Sequence, residues 1–221
     1  MSRTSALLLA LATAVVLSTA IVSARQFAAP GGWKWVTDSP ATLATGLEPA
    51  EGQWLFGTMT PGWHITTRPG VLLFEPGYTA RARFALESES FLFPGTSTAG
   101  FGLFVGGANL DGRPRYAAFL IRRDGSATVQ VVDAGQTTTL YPWTPSPAIV
   151  PGHEKDAVKN VIRLEAEATN IAFLVNGQKI AEIPRDFRFD GVVGLRIGDQ
   201  LNLHVTNVDL THRLALPRAV K

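Results

Sequence analysis

From residue 53 onward, apolar and polar residues alternate in short runs, and the runs end in Gly, Pro, Asn or Asp. A period of two is the signature of a strand with one buried and one wetter face. In "YTARARFALE" (78–87), Tyr78, Ala80, Ala82, Phe84 and Leu86 fall on one face. Thr79, Arg81, Arg83 and Glu87 fall on the other. In "NVIRLEAEA" (160–168), Ile162, Leu164 and Ala166 oppose Arg163, Glu165 and Glu167. In "GLRIGDQLNLHVTNVDL" (194–210), Leu195 and Ile197 oppose Arg196. Leu201, Leu203 and Val205 then oppose Asn202, His204 and Thr206.

The punctuation predicts hairpins. Asp124-Gly125 separates "YAAFLI" from "ATVQVV", Asn176-Gly177 separates "IAFLV" from "KIAEI", and "DAGQ" (133–136) turns a third pair. Asp-Gly and Asn-Gly accept the positive φ of tight hairpin turns. The pattern predicts roughly a dozen strands and no helix after the first segment. "GHEKDAVKN" (152–160) lacks an apolar stripe and reads as an exposed loop or a single turn. Many short antiparallel strands imply a sandwich or barrel. No fixed-period repeat points to a propeller or solenoid.

Together "YTARARFAL", "GFGLFVGG", "YAAFLIRRDG", "KNVIRLEAEATNIAFLVNGQKIAEIP" and "DGVVGLRIGDQLNLHVTNVDL" resemble the concanavalin A-like lectin/glucanase jelly-roll, most of all the group around the 3-keto-disaccharide hydrolase domain. The likeness covers residues 53–211 and rests on strand order and turn chemistry. It implies an all-β, two-sheet antiparallel jelly-roll sandwich whose ligand is a carbohydrate. The "NG-x-L-x-GW" and "E-x-x-F-G-D-F" segments of the enzyme-type members do not occur here.

The first 24 residues are a separate object. Arg3 precedes an uncharged apolar run, and "VSA" (22–24) fits a cleavage site, so a signal peptide is expected over 1–24. An uncleaved N-terminal anchor is the alternative, and no later segment is long and apolar enough to span a membrane. Residues 25–52 lack a period and read as a linker or lead-in. The sandwich is expected over 53–212, with a tail over 213–221. The chain has no cysteine, which excludes disulfides, a lipobox and thiolate zinc sites and suits a bacterial periplasm or cell surface. Lys and Arg number 20 against 18 Asp and Glu, without a basic tract, so no nucleic-acid partner is expected. The oligomeric state is left open.

Candidate chemistry is sparse. "GFGLFVGGANLDG" (100–112) is not followed by a helix, so its glycines read as a strand rather than a phosphate cradle. Asn109 and Asp111 are the residues a calcium ion would use on that loop, but calcium needs about six to eight oxygen ligands and the spacing is not diagnostic. No cofactor is therefore expected. The four histidines show no zinc-ligating spacing, and no G-x-S-x-G elbow occurs. Glu165 and Glu167 share a face beside Arg163, which reads as a solvated charged surface rather than a glycosidase pair. A sugar site would use a flat aromatic against the apolar patch of the ring and Arg, Asn or His against its hydroxyls. Trp63, His64, Arg68, Arg122, Trp143, Arg196, Asn202 and His204 are of the right types near strand ends. The competing reading is that the tryptophans cap the core. The expected role is a non-catalytic glycan- or polysaccharide-associated module of a bacterial envelope. One alternative is a hydrolase or lyase acting on 3-keto-glycosides with His64 or His204 as acid-base; another is a structural or interaction domain.

Overall fold

The computed structural model describes residues 29–46 and 48–213. The signal segment expected over 1–24 lies outside them. The described chain is a two-sheet antiparallel jelly-roll sandwich. One sheet has seven strands in the order β1 (Lys34–Thr37), β5 (Val71–Ala80), β14 (Gly191–Ile197), β7 (Phe101–Ala108), β8 (Arg115–Ile121), β9 (Ser126–Asp133) and β10 (Gln136–Pro145). The other has eight: β13 (Gln178–Pro184), β12 (Asn170–Val175), β11 (Val158–Ala166), β6 (Arg83–Leu92), β15 (Asn202–Arg213), β4 (Trp63–Thr66), β3 (Gln53–Thr58) and β2 (Thr42–Leu43). Among the described strands only β2 and β3 pair in parallel. Among the described residues the one helical element is a 3-10 turn, Phe187–Phe189, and no helix is long and apolar enough to cross a membrane.

The alternation sets the core. Ile162, Leu164 and Ala166 point inward from β11, and Leu203 and Val205 from β15. From the other sheet Leu73, Leu103, Phe119 and Val129 meet them, all essentially without solvent exposure. Phe119 on β8 and Phe173 on β12 bridge the two layers with ring centroids 4.7 Å apart. The predicted hairpin turns form, with positive φ at Asn176, Gly177, Gly125, Ala134 and Gly135.

Three expectations are corrected. "YTARARFALE" is not one strand. β5 ends at Ala80 in the seven-stranded sheet, Ala82 turns with a φ of 54°, and β6 starts at Arg83 in the eight-stranded sheet. Tyr78 is exposed, while Phe84 and Leu86 enter the core. The alternation continues across the corner because the chain leaves one inner face and joins the other. The segment 25–52 is not merely a lead-in. Its described part supplies β1, paired to β5, and β2, paired to β3. "WKWVT" (33–37) alternates over too few residues to stand out from its Pro- and Gly-rich surroundings. Arg213, assigned to the tail, ends β15; residues 214–221 lie outside the described chain.

Gly106 shows why "GFGLFVGG" needs glycine. Its φ is 69°, the pairing of β7 with β8 shifts between Val105 and Ala108, and a Cβ at Gly106 would overlap the Arg188 carbonyl oxygen. The residue is a bulge that lets the 3-10 turn approach the strand. Replacing Gly106 by Ala adds left-handed strain to a backbone clash, and a loss of at least about 2 kcal/mol in denaturant unfolding is expected. Phe173→Ala removes the aromatic contact between sheets and is expected to cost roughly 3–5 kcal/mol in the same measurement.

Candidate functional site

The two outer faces differ in chemistry. On the eight-stranded sheet, Arg163 pairs with Glu87 at 2.9 Å and Glu165 at 2.8 Å, Arg213 reaches Glu165 and Glu167, and Arg83 pairs with Glu167. Glu165 is held below the usual carboxylate range, chiefly by its hydrogen bond from Arg163. Glu165 and Glu167 therefore belong to a surface ion-pair ladder.

On the seven-stranded sheet the outer face is largely apolar. Phe74, Phe104 and Tyr116 pack edge to face or tilted, with Leu72, Leu110 and Leu120 around them. Beside this cluster lies a trough of about 320 Å³. Its floor is Tyr116, Ala118 and Leu120 from β8. Arg196 of β14 and Asp38, directly after β1, form one wall. Trp143 of β10 forms the other, and Gln130 and Thr137 supply polar groups.

Each wall has a local cause. The pairing of β10 with β9 is broken at Tyr141, where the ladder shifts twice, and Pro142 follows. Such a bulge is tolerated because β10 is an edge strand. Thr128 Oγ1 donates to the Tyr141 carbonyl at 2.7 Å, so the displaced backbone keeps a partner. The shift carries Trp143 over Gly100, where a Cβ would meet the indole at 2.7 Å. Arg122 lies 4.5 Å from the indole centroid in a cation–π contact. Asp124 fixes Arg122 through bonds from Nε of 2.8 and 2.9 Å, and that hydrogen bond holds the Asp124 carboxyl below its ordinary value. Opposite, Arg196 donates to Asp38 at 2.7 Å, and the Asp38 amide bonds the Gly70 carbonyl at 2.9 Å. Burial pushes the Tyr116 hydroxyl up; Arg196 counteracts this and Asp38 adds to it. Tyr116 thus stays protonated at the floor, able to donate and accept.

The sequence-predicted residues divide three ways. Trp143 and Arg196 line the trough, and Arg122 contacts the indole without lining it. Trp63 does not: it points inward against Trp33, centroids 5.0 Å apart, and joins Trp33 and the fully buried Trp54 at the core. Trp54 is core, while the half-buried Trp33 and Trp63 pack on it and also line a separate small cavity of about 150 Å³; Trp143 is the tryptophan on the trough. His64, Asn202 and His204 lie on the outer face of the opposite sheet, where His204 is the cross-strand partner of His64 and Asn202 of Thr66. Arg68 and Asn202 line a cleft at the end of the sandwich. The reason is topological: alternation tells inward from outward but not which sheet a strand joins. Asp38, Tyr116, Gln130 and Thr137 were missed. The short alternation in "WKWVT" before Asp38 was the available signal for the first; Gln130 and Tyr116 are ordinary strand residues by sequence. Asn109 and Asp111 sit on the β7–β8 loop, and no group of three or more His, Asp or Glu converges there or elsewhere among the described residues.

No family model matches the sequence, and no curated protein matches it. Solved structures do match in fold. The carbohydrate binding module CBM66 from Bacillus subtilis superposes with a TM-score of 0.59 at 11% identity, over 81% of this chain and 94% of that one. A protein of unknown function with a galectin-like fold, also from Bacillus subtilis, gives 0.59 at 10%, over 81% and 89%. A Bacteroides ovatus GH16 protein of a mixed-linkage glucan locus, in complex with a G4G4G3G product, gives 0.54 at 12%, over 85% and 98%. At such identities the likeness is one of fold, and it agrees with the concanavalin A-like jelly-roll; the narrower 3-keto-disaccharide hydrolase likeness gains no support from these three.

His64 and His204 each bury an Nδ1 without a hydrogen-bond partner, and Phe93 and Phe91 pack beside them. Burial, and then the neighbouring His204, push His64 below its ordinary value of 6.5. The unfolded chain therefore binds the proton more readily, so stability present above about pH 6.5 is lost as pH falls through the folded-state value. Thermal melts between about pH 7.5 and 5 should show a falling midpoint, and His64→Gln should flatten that fall.

Proposed function

We propose that the protein is an exported, non-catalytic carbohydrate-binding module of a bacterial envelope and that the trough on the seven-stranded sheet is its ligand site. The observation that carries this reading is Trp143, held over Gly100 by the β10 bulge and by Arg122 and facing the Arg196–Asp38 pair across a floor of Tyr116 and Leu120. A pyranose is an apolar patch ringed by hydroxyls. An indole packs on the patch, while a guanidinium, a carboxylate and an amide divide the hydroxyls between donors and acceptors. The volume lies at the small end of ligand pockets, which suits one or two sugar rings.

The fold agrees with that reading, since the superposed structures include a carbohydrate binding module and a GH16 protein in complex with its G4G4G3G product. One fold hosts many functions, and the trough is what points to this one. The hydrolase alternative through His64 or His204 is not favoured: neither histidine lines the trough, and they stand on the other sheet. The export assignment rests on the N-terminal sequence.

Binding of the full chain to a glycan array, followed by calorimetry on the best ligand, tests the reading. Trp143→Ala is expected to weaken binding at least about ten-fold, equivalent to roughly 1.4 kcal/mol, and Gln130→Ala by less. Tyr78→Ala, which removes an exposed aromatic away from the trough, should leave affinity unchanged. Wild-type affinity in both trough variants, with folding confirmed by circular dichroism, sinks the assignment.

A further inference from the structure

The cleft at the end of the sandwich is larger than the trough, at about 660 Å³. It is built where the β4–β5, β6–β7 and β14–β15 connections meet the β8–β9 turn. Thr67 holds this end together: fully buried, it donates Oγ1 to the Gly198 carbonyl at 2.6 Å and accepts the Leu201 amide at 3.0 Å. The lining is polar, with Thr66, Thr96, Arg68, Arg123 and Asn202 among it. Asp199 lines both the cleft and the trough, so the two are neighbours on the surface.

The arginines are the informative feature. Seven described arginines sit in ion pairs with carboxylates. Among the described residues, Arg81, Arg113 and Arg115 stand without a carboxylate elsewhere on the surface, and Arg68 and Arg123 do so together on the cleft. Arg68 is exposed. Arg123 is half-buried between Gly95 and Gly152, and its Nη2 donates to the Phe93 carbonyl at 2.7 Å. Its Nε is buried without a partner, as is Asn202 Oδ1. A guanidinium has five N–H donors, and one hydrogen bond to a carbonyl leaves the charge uncompensated. Burial lowers the Arg123 pKa, the mark of a cation that has lost water without gaining a counter-charge. Glu51 and Asp199 also line the cleft but pair with neither arginine.

We infer that the end cleft is a second binding site for an oxyanion, a sugar carboxylate or ester sulfate, held by Arg68 and Arg123. Resting on the trough reading above, the ligand is then an acidic oligosaccharide: one ring packs against Trp143, the chain passes Asp199, and the next units present their anionic group to the cleft.

Calorimetry of the full chain with oligomers of galacturonate, mannuronate and glucuronate, with their carboxyl-reduced counterparts and with a sulfated galactan oligosaccharide tests this. At least one acidic ligand should bind about ten-fold tighter than its neutral counterpart, and which class gains identifies the oxyanion. Arg68→Gln, a change of an exposed side chain, should erase that preference and leave the neutral ligand's affinity unchanged, and about 1 M salt should weaken it. Neutral and acidic ligands binding alike, with Arg68→Gln silent, overturns the second site and leaves the trough intact. An independent arm uses free uronate monosaccharides in amide NMR titrations. Shifts at Thr66 and Thr96 that persist in Trp143→Ala uphold the cleft even where no glycan binds the trough. Absence of such shifts together with no acidic preference overturns the inference.

Discussion

Both sheets must bury one face, and they can do so only against each other. That shared apolar layer, with Phe119 and Phe173 meeting at its centre, dictates the rest of the molecule. Inward positions are given over to Leu, Ile, Val and Phe, so any chemistry must come from the outward positions or from the ends. The chain also crosses repeatedly between layers, and every crossing leaves backbone groups that the ladders cannot satisfy. The structure meets this with a few buried polar side chains. Thr67 ties the β14–β15 connection to the end of β4. Asn160, almost fully buried, exchanges bonds of 2.9 and 3.0 Å with Val150, while Asn176 reaches the Ala148 carbonyl at 2.8 Å and Asn160 at 2.9 Å. The asparagine that turns the β12–β13 hairpin thus also anchors the long β10–β11 connection.

This accounts for what could be read in advance. Strand identity, inward faces and hairpins were legible because they are local: a period of two and an Asn-Gly or Asp-Gly pair need no knowledge of the rest of the chain. The corner at Arg81–Ala82 was not legible, since an uninterrupted alternation is equally consistent with one strand or with two strands in different layers. β1 was hidden for another reason. Four residues make too short a pattern, and their place is decided by pairing with β5, far along the chain. The site inherits both limits. Trp143, Arg122 and Arg196 carried their chemistry in their residue type. Asp38 came with an unseen strand, and Tyr116 and Gln130 became significant only once β8 and β9 lay beside the indole. His64, His204 and Asn202 were grouped with the others because outward alternation does not say outward from which sheet.

The division of charge gives the two outer faces different chemistry. The eight-stranded sheet carries its arginines and glutamates in mutual pairs, each at the surface and each worth little on its own. The seven-stranded sheet places few charges on its outer face, and there Arg196 and Asp38 flank aromatic and aliphatic groups. A polar group beside apolar surface is less screened by water, so a single donor there discriminates among ligands more sharply than a crowd of mutually satisfied charges does.

Trp143 hangs on β10, the last strand of its sheet, past a bulge that has already released the backbone from strict pairing. Nothing lies beyond that strand within the sheet. Side chains there contribute to one wall of a hollow and hardly at all to the shared interior, most of them being open to solvent. Replacement, lengthening or re-aiming of this border therefore costs the fold little, so the shape of that hollow can change while the shared interior stays as it is.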